Sequence, residues 1–453
     1  MEHLTPQIIA EITGGCYHGD GSLAQTRIKG AARDNRDVKP GNLFVCIKGA
    51  RADGHAFANK AFESGAACCL AERELADAQG PYVSVGSTLE AIKTIGAYHR
   101  KLFDIPVIGI TGSVGKTTCK ELVAAALGAK LNVLKTMKNL NNELGVPLTL
   151  LSIDEQHEAA VIEMGISGFG EMSRLAQMVS PDYFIITKIG HAHLETLGDL
   201  SGVLRAKTEA FAYMKEDGVA ILNGDDDLLR GYDPGIGKVM FGLKERNAAQ
   251  AALPASAYGS HIAEMAGAAV AAGQLLGLTE AEIARGLSSY EPIEGRANVI
   301  DTGRITLIDD CYNANPDSVI AALISLSKLA SPRVAILGDM LELGERSDEL
   351  HRQVGASAAH NGVDRLICCG DKALFIYEGF VTCAGGEKIC GKPGFSAGSR
   401  KCGEAKHYPS KASLIADLPA LIKKGDTVLV KASNGMKFDE IARLLSSKPA
   451  AGQ

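Results

Sequence analysis

The chain has 453 residues, 46% of them hydrophobic, and a formal net charge of −6. A single core rarely grows past about 250–300 residues, so two or three domains are expected. A mildly acidic chain without a basic block gives no electrostatic footprint for nucleic acid, and no apolar run reaches the length of a membrane span.

Residues 1 to about 100 carry short elements separated by turn signals. Asp34-Asn35-Arg36 and Lys39-Pro40-Gly41-Asn42 precede the apolar run Leu43–Ile47, and Asp53-Gly54-His55 opens a helical stretch, 56–64. From about 101 the pattern changes. Strands are expected at 105–110, 159–163, 183–187 and 219–222, with helices between them and at 261–276 and 280–287. Alternating apolar strands and helices argue for a doubly wound sheet. A third unit from about 300 repeats the pattern, with strands at 305–309, 333–337, 364–369 and 427–431 and helices at 317–329, 348–361 and 436–446. The expected architecture is therefore α/β with three domains, 1–100, 101–299 and 300–453: a central P-loop-type sheet follows the first domain and a Rossmann-like domain ends the chain. Residues 379–406 lack periodicity and read as a surface excursion. Its Cys383, Cys390, Cys402 and the neighbouring His407 have no C-x2-C spacing, which favours a reduced loop over a zinc site.

The eleven cysteines include two adjacent pairs, Cys68–Cys69 and Cys368–Cys369, in apolar runs. Neighbouring strand residues point to opposite faces, so these pairs do not bridge. An odd count, and an N-terminus without a charged and then apolar leader, lead us to expect a reducing compartment, the cytoplasm.

Gly109-Ile110-Thr111-Gly112-Ser113-Val114-Gly115-Lys116-Thr117-Thr118 joins a buried strand to a helix. Glycines let backbone N–H groups turn toward phosphates, and the helix start adds favourable partial charge. Lys116 would bridge the terminal phosphates and the Thr117 hydroxyl would hold Mg²⁺. The strict Walker A pattern asks for Gly where this chain has Ile110, but the core T-G-S-x-G-K-T remains. Downstream lie an Asn-rich loop at 136–149 with Asn139, the sequence Glu163-Met164-Gly165 at a strand's C-terminal end, and His191-Ala192-His193-Leu194-Glu195, with Lys207 fourteen residues past His193. A carboxylate at such a strand end is a natural Mg²⁺ ligand.

In that order these motifs resemble the central domain of the Mur ligases. Asp309-Asp310-Cys311-Tyr312-Asn313-Ala314-Asn315-Pro316 and Leu337-Gly338-Asp339-Met340-Leu341-Glu342-Leu343-Gly344 resemble the MurF branch, and the D-N-R, P-G-N-L-F-V and D-G-H motifs of the first domain resemble the family's UDP-binding domain. The resemblance implies a monomeric ligase with ATP, two Mg²⁺ ions and a UDP-muramoyl peptide as ligands, adding D-alanyl-D-alanine through an acyl phosphate. It implies that Gly112 to Thr118, Asn139, Arg296, Asp310, Asn313 and Asn315 bind the nucleotide, and that Thr117, Glu163, His193 and a carbamylated Lys207 hold metal. It further implies that Lys116, Lys207, His193 and Arg296 serve catalysis, and that Asn35, Arg36, Asp53 and His55 meet the UDP substrate. Another amide ligase of the family, or a binding protein without catalysis, are the competing readings.

The chain departs from the family in a short 241–261 stretch, in the 379–406 excursion and at three single positions. Ser260-His261-Ile262 stands where a His-Asn pair is usual, with that Asn on adenine; Asn434 stands for Arg; and Asn35 stands for Ser. With one site drawn from two domains, closure is expected about a hinge at 294–303.

Overall fold

The computed structural model describes residues 3–49, 52–243, 248–254, 257, 259–384 and 403–447. Three sheets account for the strands. The first contains β1 (Cys16–His18), β2 (Gly30–Ala32), β3 (Asn42–Val45), β4 (Cys68–Ala71) and β5 (Tyr82–Ser84), in the order β1-β5-β4-β3-β2 with only β1 antiparallel.

The central sheet is wholly parallel. It contains β6 (Val107–Thr111), β7 (Val133–Lys135), β8 (Ala159–Glu163), β9 (Tyr183–Ile186), β10 (Val219–Asn223) and β11 (Gly237–Phe241), ordered β11-β10-β9-β6-β8-β7. β6 lies between β8 and β9 and is buried along its whole length, which is why it reads Val-Ile-Gly-Ile-Thr without alternation. The chain reverses its winding direction beside β6, so the loop after β6 opens at the switch point where such sheets bind ligands. The helix Lys116–Gly128 that follows buries Leu122, Val123 and Leu127 against helices Ser260–Leu275 and Glu280–Ser288.

The third sheet contains β12 (Asn298–Asp301), β13 (Thr306–Asp309), β14 (Arg333–Gly338), β15 (Arg365–Cys369), β16 (Glu404–Tyr408) and β17 (Thr427–Lys431), ordered β12-β13-β17-β14-β15-β16 with only β12 antiparallel. The C-terminal ends of β13 and β17 carry the Asp310–Asn315 loop and Lys431 toward the central domain.

Two expectations need correction. The segment 294–303 is not a free hinge: β12 pairs with β13, Gly295 N donates to Asp309 Oδ2 at 3.2 Å, and Tyr312 N donates to Gly295 O at 3.1 Å. It is bonded into the third domain. Nor is 379–406 one excursion, because helix Ala373–Ala384 enters it and β16 leaves it. Cys390 and Cys402 lie outside the described residues; His407 Nε2 sits 2.8 Å from Gly370 O. Helix Ala373–Ala384 packs closely on helix Ser347–His360. A Cβ on Gly355 would lie 1.9 Å from Ile376 O, and one on Gly379 would lie 2.2 Å from Arg352 O. Cys16, Cys46, Cys68, Cys69, Cys119, Cys311, Cys368 and Cys369 are free thiols. Among the described residues no helix is long and apolar enough to cross a membrane.

Candidate active site

The phosphate loop follows from two glycines. Gly112 has φ 148°, and a Cβ there would lie 1.9 Å from Thr187 Oγ1; Gly115 has φ 84°. Both conformations are costly for other residues. Ser113 N donates to Lys188 O at 2.8 Å, and Lys116 Nζ donates to Gly112 O at 2.7 Å. Burial, helped by Arg296 and opposed by Glu163, draws the Lys116 ammonium below its ordinary pKa.

Ser113, Val114, Gly115, Lys116, Thr117 and Thr118 line a cleft of about 430 Å³ between the central and third domains. Asn139, Glu163, His193, Arg296, Asp310, Asn313 and Asn315 line it as well, so most of the expected nucleotide and metal residues converge. Lys207 does not line it, but it is 2% exposed in helix Leu200–Thr208 and feels the charge of Lys116.

Glu163, at the end of β8, is 2% exposed. Its Oε1 accepts from Thr117 Oγ1 at 3.2 Å and Asn141 Nδ2 at 2.7 Å, whereas its Oε2 is buried with no protein donor. A buried carboxylate oxygen without a partner is costly unless a cation meets it, so this donor set fits a hard divalent ion. Asn141 therefore joins the site, and the Asn-Leu-Asn-Asn spelling of its loop was the signal for it. His193 has φ 56° and lies with Nδ1 2.6 Å from Oε2 of Glu342, itself at φ 63°. Burial, with Lys116 and Lys207 nearby and Glu342 opposing, holds the His193 imidazole below its ordinary pKa. A neutral ring is the form that binds a metal. Burial and Lys116 likewise hold Lys207 well below the ordinary lysine value. A neutral amine is the nucleophilic form.

The third-domain residues of the cleft are held by contacts within the protein. Asp310 Oδ2 is 2.6 Å from Lys431 Nζ, and its Oδ1 accepts from Ala297 N at 3.1 Å. Lys431 also donates to Asn313 O at 3.0 Å. Arg296 stacks on Tyr312, with Cζ 3.8 Å from the ring centroid. Asn315 caps helix Pro316–Leu326 through Oδ1, which accepts from Ser318 N at 2.9 Å, while its Nδ2 donates to Ser113 O at 3.2 Å. Asn434 Nδ2 donates to Tyr312 O at 3.0 Å, so this residue stitches the loop. Ile262 is 1% exposed and packs in the core of the central domain; its neighbour His261 faces the cleft instead.

The four first-domain residues lie apart from the cleft. Asp53 Oδ1 accepts from His55 N at 3.0 Å and sits 2.6 Å from His55 Nδ1, and His55 Nε2 accepts from Glu72 N at 2.9 Å. Both ring nitrogens of His55 thus hold the local frame, with its side chain 3% exposed. Arg36 forks onto Asp34 at 2.5 and 2.9 Å and holds that carboxyl down to about 2. The adjacent Asn35 begins the same short turn. These residues shape a loop, with Asp53 also meeting Arg73 at 3.1 Å.

The Mur ligase middle domain matches residues 110–277, the Mur ligase glutamate ligase domain residues 295–434, and the Mur ligase family catalytic domain residues 27–100. The UDP-N-acetylmuramoyl-tripeptide--D-alanyl-D-alanine ligase of Bacillus subtilis is 34% identical, over 98% of this chain and 99% of its own. The enzyme of that name from Escherichia coli is 32% identical over 98% and 99%. Among solved structures, MurF from Acinetobacter baumannii is similar with a TM-score of 0.84 and 30% identity over 98% of both chains. MurF from Thermotoga maritima, in complex with ADP, is similar with a TM-score of 0.76 and 26% identity over 94% of this chain and 98% of that one. Matched through all three of its domains, the chain belongs to the Mur ligase family, in its MurF branch.

Proposed function

We propose that the chain joins D-alanyl-D-alanine to a UDP-N-acetylmuramoyl tripeptide, converting ATP to ADP and phosphate. The observation that carries this reading is the likeness along the full chain, in all three domains, to relatives named for that activity. In the first step a carboxylate oxygen of the tripeptide bonds to the γ-phosphorus and the bond to ADP breaks. In the second the dipeptide amine bonds to the acyl carbon, the bond to phosphate breaks, and one amine proton is released.

The residues of the cleft suit that chemistry. Backbone N–H groups of the Gly112–Thr118 loop and Lys116 would hold the phosphates and stabilise charge on the transferring group. Arg296, held over the Tyr312 ring, would add a second cation, with Asn139, Asp310, Asn313 and Asn315 around the nucleotide. Thr117, Glu163, His193 and a carbamylated Lys207 would hold Mg²⁺, as one or two ions, which supplies charge neutralisation at phosphate oxygens. The depressed amine of Lys207 supports the carbamate, since a neutral amine adds carbon dioxide and an ammonium does not. The cleft between two domains would keep water from the acyl phosphate. The first domain would hold the UDP moiety; there Asp53 and His55 shape the loop and Asn35 and Arg36 flank it.

ADP release should require both UDP-muramoyl tripeptide and D-alanyl-D-alanine. Release that is indifferent to the dipeptide would exclude this amine and return the chain to the wider family.

A further inference from the structure

A hydrogen-bonded pair outside the cleft joins the third domain to the phosphate loop. One oxygen of Asp317, Oδ2, accepts from the backbone N of His191 at 2.6 Å and lies 3.0 Å from His191 Nδ1. His191 belongs to the central domain, on the loop after β9; Asp317 stands in the first turn of helix Pro316–Leu326, two residues past its cap Asn315. We infer that Asp317 and His191 are a positioning pair for the ligase reaction: they dock the Asn313-Ala314-Asn315 loop onto the phosphate loop and so set the shape of the nucleotide cleft.

The contacts form a closed circuit. Asp317 holds His191; the preceding Gly190 offers its O to Ser113 Oγ at 3.0 Å, and its N lies 3.0 Å from the same Oγ. Ser113 O accepts from Asn315 Nδ2, which returns to the helix that bears Asp317. The circuit leaves no room at Gly190, where a Cβ would lie 2.7 Å from Asp317 Oδ2 and 3.4 Å from Ser113 Cβ. The carboxylate is only 21% exposed and the imidazole 22%, so water competes weakly for these hydrogen bonds. A carboxylate in the first turn of a helix is also favoured by the helix dipole. Ser113 and Asn315 line the cleft, but His191 and Asp317 do not, so the pair acts through its neighbours and touches no reacting atom.

The pair predicts a coupled loss. If the docked arrangement is the binding-competent one, weakening it raises the apparent constant for nucleotide by the inverse of the competent fraction. Asp317→Ala should raise the KM for ATP about tenfold and lower kcat less than about threefold, and His191→Ala, which keeps its backbone N–H on Asp317, should raise that KM by less. The double variant should be no worse than Asp317→Ala alone, because loss of the carboxylate already removes both the backbone and the ring contact with His191. His191→Asn, which keeps a donor near the Nδ1 position, should recover most of the loss. The kinetic arm rests on the ligase reading, so two readouts run without turnover: affinity for a fluorescent ATP analogue and the radius of gyration in solution scattering. Asp317→Ala should bind the analogue about tenfold more weakly and have a larger radius than wild type, and His191→Ala should shift both in the same direction by less. Effects that multiply in the double variant, or alanine variants with wild-type affinity and radius, would overturn the inference. A wild-type protein that lacks dipeptide-dependent turnover would overturn the ligase reading, leaving the binding and scattering results to decide on the pair.

Discussion

Replacing Lys207 by methionine separates the cost of burying this side chain from its use. The residue is 2% exposed, and burial together with Lys116 holds its amine well below the ordinary value of 10.5. A lysine depressed in this way binds fewer protons folded than unfolded, so its burial opposes folding, and that opposition eases as pH rises toward 10.5. Methionine is unbranched and adaptable, and it carries no such penalty. Exchanging a poorly compensated buried polar group for an apolar one of like volume stabilises by about 1–4 kcal/mol. Lys207→Met should therefore be the more stable protein at pH 7 while its ligase turnover falls by about three orders of magnitude. Its lead should shrink by up to about 1.4 kcal/mol for each pH unit between the folded and unfolded pKa values. The chain has no tryptophan, so urea unfolding is best followed by circular dichroism, from pH 6 to 9. Bicarbonate should stabilise wild type and leave the variant unchanged, because only a lysine can take up carbon dioxide. A variant that is less stable at pH 7, by a margin flat across that range, would refute the desolvated amine.

Lys116→Ala should lower kcat by about a thousandfold or more while leaving affinity for the UDP substrate within about twofold, since the two sites are separate; turnover within tenfold of wild type would remove Lys116 from its role. Glu163→Gln should weaken Mn²⁺ binding, read by electron paramagnetic resonance, by about tenfold or more, and should not destabilise the ligand-free protein, because Oε2 has no donor to lose. His55→Ala should cost about 1–3 kcal/mol of stability by leaving Glu72 N without its acceptor and removing the ring's contact with Asp53. A large loss of UDP-substrate affinity at unchanged stability would instead make His55 a direct contact.

The three sheets were legible wherever a buried strand is a continuous apolar run, as at Val107–Thr111 and Thr427–Lys431. Edge strands were not. Val133–Lys135 is three residues long, and Gly237–Phe241 begins with two exposed residues after a Pro-Gly turn, so neither carries the signal of a core strand. Helix Ala373–Ala384 was hidden because its Gly379 and the Gly-rich stretch beyond read as loop; the glycine is there for a neighbouring helix, which a single segment cannot display. The phosphate loop, Glu163 and His193 were readable because their chemistry is local in sequence. Asn315 and Glu342 were placed by motif alone. Their partners, Ser113 and His193, lie in another domain, and only the tertiary fold brings them together. The burial of Ile262 is likewise set by the helices around it, which the sequence alone does not display.

The contact between helices Ser347–His360 and Ala373–Ala384 bears on how large variant libraries of this protein will read. Gly355 and Gly379 sit where the opposing backbone leaves less than a carbon's clearance, so every replacement at either position must push the helices apart. Scored by survival of a host, both positions should look as intolerant as Lys116, although neither lines the cleft. The abundance of folded protein distinguishes the two cases. Replacements at Lys116 leave the soluble yield intact, whereas those at Gly355 and Gly379 deplete it. A map of essential positions drawn from growth alone would therefore enter two packing sites of the third domain as chemistry.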